Sequence, residues 1–398
     1  MIFLQIILAV ISGVVAGTFT GLMPGIHINF VAMTLLIFSK YFLSYFQPLT
    51  LAVFIVSMAI AHSFLDFVPS IFLSAPNSET ALSIMPGHKL LLKGNGYAAV
   101  RLSITGCYIG MIILIITTPL LMIAMPFIYG SIKNSMGLIL IAAVLFLMIN
   151  EKKRFWAFFI FLLSGALGLI TLELPIKEPL FPLLTGLFGA SMIITSISEK
   201  TELPEQKITC IKLDKKEYAK ISSSGLIASS LCSFLPGLGA SQAAVIASDI
   251  NGRMNSRTFL VLLGIISTLV TGLNFVAIYA INKPRSGVAV VASKILETTD
   301  NYHLAVLLAA ALISAGIAFV LSLCFAKIFA RYISRINYTK ISLGILGILV
   351  AMTFFVSGII GSIVLITATF IGLFAISKGI RKMHLMGCLM LPVILYFI

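Results

Sequence analysis

The sequence predicts an all-α, polytopic integral membrane protein made of two inverted-topology repeats with broken or re-entrant helices. Three observations predict it. The chain is 60% hydrophobic and only 10% charged over 398 residues, where soluble domains carry roughly 25% charged residues. Its apolar residues gather into long segments, many near the ~20 residues that a spanning helix needs. A Pro-Gly dipeptide inside an apolar segment near the start, Leu22-Met23-Pro24-Gly25-Ile26, recurs past the middle as Phe234-Leu235-Pro236-Gly237-Leu238. With a shift of roughly 212 positions, Gly13 meets Gly225, Ala16 meets Ala228, Thr20 meets Cys232, Ala32 meets Ala244 and His62 meets Asn274.

The elements follow in order. The first half holds apolar segments over 2–23, 26–46, 48–73, 97–125, 135–149, 155–172 and 179–198, and the second over 221–235, 239–250, 257–281, 303–330, 340–356, 358–377 and 384–398. The first two of each half flank the Pro-Gly dipeptide and read as one helix-break-helix unit, because proline removes a donor and glycine frees the backbone. In lipid such a break survives only where protein or a water-filled cavity satisfies the released groups. The segment from Ile2 to Met23 exceeds a signal h-region and lacks a basic n-region, so it is expected to stay in the mature protein. Residues 199–220 form the only long polar linker, which divides the chain into a first transmembrane repeat, 1–198, and a second, 221–398.

The net charge of +14 does not point to nucleic acid, since lysine and arginine collect in loops between apolar segments, where they set orientation. The densest clusters are Lys152, Lys153 and Arg154, the central linker, Lys327, Arg331, Arg335 and Lys340, and Lys378, Arg381 and Lys382. All four can face the cytoplasm together. That orientation puts 76–101 inside and 282–302 outside, with a turn from Pro126 to Ser135 also outside, although Lys283, Arg285 and Lys294 count against it unless a cavity holds them. Corresponding parts would then face opposite ways. Lone Trp156 reads as an interface anchor. The five cysteines show no paired spacing and read as small core residues, with neither a metal cluster nor a disulfide frame.

A second polar constellation follows a long apolar segment in each half. Ser74-Ala75-Pro76-Asn77-Ser78-Glu79-Thr80-Ala81 answers Lys283-Pro284-Arg285-Ser286-Gly287-Val288-Ala289, with Pro76 opposite Pro284 and Ser78 opposite Ser286. Small hydroxyl and amide side chains beside a proline at a helix start present N–H groups and the positive dipole end to an anion, which suits a carboxylate. The bland reading is an interfacial loop with ordinary caps and turns. Recurrence in both halves favours a site. Candidate substrate-binding residues are Pro24, Gly25, His27 and Asn29 at the first break, and Ser74, Pro76, Asn77, Ser78 and Thr80 in the first polar stretch. The second half adds Pro236, Gly237, Gly239, Ser241 and Gln242 at its break, with Arg285 and Ser286 beyond.

These residues resemble the TctA family, the large membrane subunit of tripartite tricarboxylate transporters. The resemblance rests on the stretch from Gly17 to Pro24-Gly25, on Ser74-Ala75-Pro76-Asn77-Ser78 followed by Gly87-His88-Lys89 and Gly94, and on Pro236-Gly237-Leu238-Gly239. The chain departs from the family pattern in having His27, Ile28 and Asn29 after the first Pro-Gly and Pro76-Asn77-Ser78-Glu79 in place of a Pro-Gly-Thr-Pro-like run. The resemblance implies uptake of small carboxylates with an extracytoplasmic binding protein and a small membrane subunit, and location in a prokaryotic cell membrane.

Asp66 and Glu79 are the candidate ion-coupling residues, since intramembrane acids usually mark ion or proton paths. Against that, Asp66 can be a solvated segment end and Glu79 a helix cap. His27 can meet substrate or shuttle a proton, or simply bond freed carbonyls. His62 and Asn274 read as packing glue, and Arg285 as a substrate counter-charge or an exposed loop residue. No zinc-protease, nucleophile-turn or P-loop motif occurs, so the chain reads as no enzyme, without a cofactor or a resident metal, and energised by an ion gradient. The resulting expectation is a secondary active transporter of small carboxylates, embedded in membrane lipid and compatible with a homodimer. The alternatives are a lipid-phosphate carrier, a membrane enzyme acting on lipid through His27, His62, Asp66 and Glu79, and a non-transporting scaffold subunit.

The orientation has a direct check. With the other four cysteines replaced, Cys210 in the linker should resist an impermeant maleimide in intact cells and react once the membrane is opened. Ready labelling of intact cells would reverse the assignment.

Overall fold

The computed structural model describes all residues except 1, 24–27, 75–79, 133–134, 150, 177, 199–203, 212, 235–239, 253, 285, 297, 299, 336–337 and 381. No water reaches the backbone inside a bilayer, so a spanning chain must bond to itself. Among the described residues the chain is helical and contains no strand. Seven stretches are long and apolar enough to cross: 2–22, 48–72, 96–131, 154–173, 256–281, 301–332 and 342–377.

In the first half, α1 (Ile2–Leu22) is followed by α2 (Ile28–Ile37) and α3 (Ser39–Leu43), and then by α4 (Pro48–Leu65), which runs almost unbroken into α5 (Phe67–Phe72). Helix α1 lies along α4 through glycines spaced four apart. A Cβ on Gly13 would sit 2.6 Å from the Phe54 carbonyl oxygen and one on Gly21 2.9 Å from that of His62. Leu8 of α1, Phe42 of α3 and Thr50 of α4 line one cleft. Both ends of this helical hairpin therefore lie at the N-terminal end of α4. Its tip, residues 24–27, lies outside the described residues.

Helix α6 (Ile84–Leu91) leads into α7 (Gly96–Ile132), which starts beside Phe72 at the far end of α5: a Cβ on Gly96 would be 2.9 Å from the Phe72 ring. Helix α7 corrects the expected turn from Pro126, because it continues through Pro119 and Pro126 as far as Ile132. Each proline forfeits one backbone bond, whereas a turn inside the apolar layer would strand several groups at once. Next come α8 (Met136–Ile149), α9 (Arg154–Glu173), α10 (Leu180–Leu184), a π-helical turn over Thr185–Ala190 and α11 (Ser191–Ser198).

The linker is extended over 204–211 and lies against the start of α7, with the Lys207 amide donating to the Gly94 carbonyl at 2.8 Å. Helix α12 (Lys215–Phe234) begins six residues before the expected segment and takes Lys215, Lys216 and Lys220 into its first turns. Helix α13 (Ala240–Asn251) returns, and Lys220 Nζ donates to the Asn251 carbonyl at 3.0 Å, so the two ends of this second hairpin also meet. Helix α14 (Ser256–Ile281) is capped by Asn255, whose side chain accepts the Thr258 amide at 2.8 Å. Then follow α15 (Gly287–Leu296), α16 (Asn301–Tyr332), α17 (Tyr338–Ser377) and α18 (Gly387–Phe397). Helix α17 comprises two helices joined at Gly358, whose φ of 68° only glycine adopts easily.

The starts of α7 and α14 share one end of the bundle with the linker and with the end of α5, where Lys89 and Asn255 line a common cleft. The clusters around Lys153 and Lys378 also meet each other, Lys153 Nζ donating to the Lys378 carbonyl at 2.7 Å. Ser357 donates to the Glu178 carbonyl at 3.3 Å, joining the turn before α10 to the middle of α17. Lys283 and Lys294 are exposed, so no cavity shelters them.

Packing between the halves is reciprocal. Helix α7 lies on α14 while α16 lies on α4; α6 touches α14 while α15 touches α4; α9 packs on α18 while α17 packs on the π turn. One expected match fails. The starts of α4 and α14, Pro48 and Ser256, share the shift that pairs Pro76 with Pro284, not the larger shift that pairs the Pro-Gly dipeptides. The described non-glycine residues with left-handed backbone, Ser74 (φ 53°) and Asn282 (φ 49°), share that shorter shift too. Under it Asn274 matches Asp66 and His62 matches Val270. The stretch from the Pro-Gly dipeptide to the long helix is shorter in the second half, from Gly237 to Ser256 against Gly25 to Pro48, and the two shifts differ accordingly.

Gly264 of α14 faces the Ser103 carbonyl of α7 with no room for a Cβ, while Gly316 of α16 has open space around it. Gly264→Ala should cost about 1–3 kcal/mol through overpacking and lower the melting temperature in detergent. Gly316→Ala should be neutral or slightly stabilising, because alanine is the better helix former. Equal melting of the two variants would contradict the close α7–α14 contact.

Candidate functional site

The polar centre of the described bundle lies at the α4–α5 junction. Asp66 is only 5% exposed although it carries a carboxylate. The Thr80 hydroxyl donates to Asp66 Oδ2 at 2.7 Å, and the Ser70 and Thr80 hydroxyls lie 2.7 Å apart. With the Thr80 proton directed at the carboxylate, Ser70 is the donor to Thr80. The sequence reading of Asp66 as a solvated segment end is therefore corrected: the helix runs on past it, the Ser70 amide bonding the Asp66 carbonyl at 3.2 Å, and buries the side chain.

This centre adjoins the C-terminal end of α1. A Cβ on Gly21 would meet the His62 carbonyl and, at 3.0 Å, Leu65 Cβ, one residue before Asp66. His62 Nδ1 lies 3.1 Å from the Thr20 hydroxyl, which itself bonds the Gly17 carbonyl at 3.2 Å, so His62 fastens α4 to α1 as packing glue. Four residues beyond Ser70, Ser74 is fully buried in a left-handed conformation, and its hydroxyl finds no partner among the described residues. A buried hydroxyl without a partner calls for a ligand, an ion or water.

Of the candidates named from sequence, Ser74, Thr80 and Asp66 come together here. Ser241 is buried at the start of α13, and Ser286 caps α15, its hydroxyl accepting the Ala289 amide at 3.2 Å. Asn29 and Gln242 lie in α2 and α13 with side chains outside the described set. Pro24, Gly25, His27, Pro76, Asn77, Ser78, Glu79, Pro236, Gly237, Gly239 and Arg285 lie outside the described residues. Ser70 was missed, and Asn274 was named but matched to another position. Ser70 carried a signal, four residues from Asp66 on one helical face; Asn274, 6% exposed, was assigned to His62 by the wrong register. Away from this centre, His384 Nε2 meets Glu151 Oε2 at 3.1 Å and ties the C-terminal region to the start of α9. Trp156 lies 4.4 Å beneath the Lys378 ammonium, as suits an interface anchor.

A helical bundle with several spans and a buried acid in a hydroxyl network is a polytopic membrane protein with a polar centre in its interior. The chain belongs to the Tripartite tricarboxylate transporter TctA family, whose sequence profile matches residues 7–387. It is thus a tricarboxylate transporter component with a multi-pass membrane location, and the family points away from an enzyme. Tripartite organisation also supports a binding protein and a small membrane subunit as partners. The chain is 32% identical over 391 residues to Uncharacterized protein MJ1079 of Methanocaldococcus jannaschii, covering 95% of this chain and 96% of that protein. No solved structure matches it.

Thr80→Val removes one donor to the buried Asp66 carboxylate, which should destabilise the protein by about 1–3 kcal/mol, read as a lower melting temperature in detergent. Thr80→Ser keeps the hydroxyl and should restore most of it. A valine variant as stable as wild type would mean that Asp66 does not depend on this bond.

Proposed function

We propose that this chain is the solute-conducting permease of its transporter: a secondary active carrier of small carboxylates, driven by an ion gradient, with Asp66 as a coupling residue. The observation that carries the reading is a buried carboxylate in a hydroxyl network directly beside the C-terminal end of α1. Intramembrane acids are costly and are usually kept for ion or proton movement. Ser74, with its unpartnered buried hydroxyl, supplies a further oxygen in the same region.

The helix starts that follow each hairpin tip and each polar stretch, at Ile28, Ala240, Ala81 and Gly287, suit an anionic solute, because helix N-termini offer N–H groups and a positive dipole end. Two inverted repeats, spanning 1–198 and 221–398 about the linker, are the architecture we infer. Reciprocal packing between the halves and the shared left-handed residues Ser74 and Asn282 support it. The basic end of the bundle is assigned to the cytoplasm by the positive-inside rule. A homodimer is compatible with this scheme.

The test is uptake of a labelled tricarboxylate into proteoliposomes holding the chain with its binding protein and small membrane subunit. Asp66→Asn should abolish gradient-driven accumulation, by tenfold or more, while solute exchange without a gradient persists. Undiminished accumulation by the variant would remove Asp66 from the coupling mechanism. A label that emerges chemically altered would favour an enzyme.

A further inference from the structure

At the basic end of the bundle a cleft of about 500 Å³ opens between the two halves, separate from the Asp66 centre. Its walls are the last turn of α6, the loop leading to α7 and the first turn of α14. Lys89, Lys93 and Arg257 all face it, and none has a carboxylate within salt-bridge distance among the described residues. Three cations sharing one cleft repel each other and favour an anion between them.

Two further features narrow the ligand. Asn255 caps α14 by taking the Thr258 amide, which leaves the Ser256 and Arg257 amides at the start of a 26-residue helix with no acceptor among the described residues. Cations and open amides together match the oxygens of a phosphate group. The remaining lining is Asn95 and two leucines, of which Leu90 is buried and Leu92 is 40% exposed. A charged rim beside two leucines, at the end of the spanning helices, fits a head group at the bilayer surface. The opposite end of the bundle is not built this way. Under the shift that pairs Pro76 with Pro284, Lys89, Lys93 and Arg257 correspond to Glu297, Asn301 and Leu49.

We propose that this cleft binds a phosphate group, carried by an anionic phospholipid of the adjoining leaflet or free in solution. The inference does not rest on the transport reading, and its test measures binding alone.

Full-length chain, delipidated in detergent, is incubated with phosphatidylglycerol, phosphatidylcholine, inorganic phosphate or citrate; retained lipid is counted by native mass spectrometry and protection is read as a rise in melting temperature. The variants are Lys89→Gln, Lys93→Gln and Arg257→Gln, singly and combined, with Lys283→Gln plus Lys294→Gln at the other end as control. Wild type and control should retain phosphatidylglycerol over phosphatidylcholine, and each cation removed should weaken that preference about fivefold. Protection by inorganic phosphate without a lipid preference, lost in the same variants, would identify the free anion as the ligand. Equal retention of both lipids with no phosphate effect, or unchanged binding in the triple variant, would overturn the proposal, as would citrate protection equal to that of phosphate and lost in the same variants. If the triple variant does not fold, the single variants decide by the same criteria.

Discussion

Every part of this structure depends on one constraint: in lipid, a backbone amide or carbonyl without a partner inside the protein has none at all. The constraint explains why the described chain is helix throughout and why α7 keeps its helix through two prolines. It also governs the two hairpins. Helices that end within the apolar layer expose four amides or four carbonyls at each terminus, so they must end against protein. The glycines of α1 provide that cover by bringing its backbone against α4, and Gly264 and Gly106 do the same between α14 and α7. Small residues at helix contacts do in the membrane what large apolar residues do in a soluble core, because lipid offers no hydrophobic drive for helix association.

Much of this was legible in the sequence. Segment ends fell close to the observed helices wherever a proline, a polar turn or a charge cluster punctuated the chain, as at Pro48, Asn255 and Asp300. Pro126 misled, because a proline inside a helix forfeits only one backbone bond and, on the exposed face of α7, leaves the rest of the ladder intact. The early start of α12 was hidden by Lys215, Lys216 and Lys220, which are polar without being helix breakers. The π turn over Thr185–Ala190 left no periodic signature; it depends on contacts across the bundle, Gly186 against Leu365 among them.

The candidate site was legible in part, and the division has a physical cause. Asp66 drew notice because a carboxylate in an apolar run is expensive, and Ser74 and Thr80 because they flank a proline. What joins them is long-range: Thr80 reaches back across a loop to a side chain fourteen residues earlier. Serine is common in membrane helices, where it usually bonds its own preceding turn, as Ser63 and Ser103 do. Only its place four residues from Asp66 separated Ser70 from those. The misassigned Asn274 shows a different limit, since one shift was applied across a connection whose length differs between halves.

That corrected match bears on how the bundle could change state. On the inverted-repeat reading, identical halves would make the two orientations equal in energy, and only differences between the halves could bias them. Asp66 opposite Asn274 is such a difference, similar in shape but charged in one half only. A buried carboxylate must be paired or neutralised in every state it visits, so the orientation that offers it Thr80 and Ser70 is favoured until another cation or proton takes their place. A ligand shifts a two-state equilibrium only by its difference in affinity for the two states. An ion that replaces the hydroxyl donors at Asp66 has that difference built in, whereas at Asn274, which carries no charge, it has much less to gain. If the chain is the carrier proposed above, the asymmetry would give the first half the task of sensing the ion and leave the second free to serve the solute.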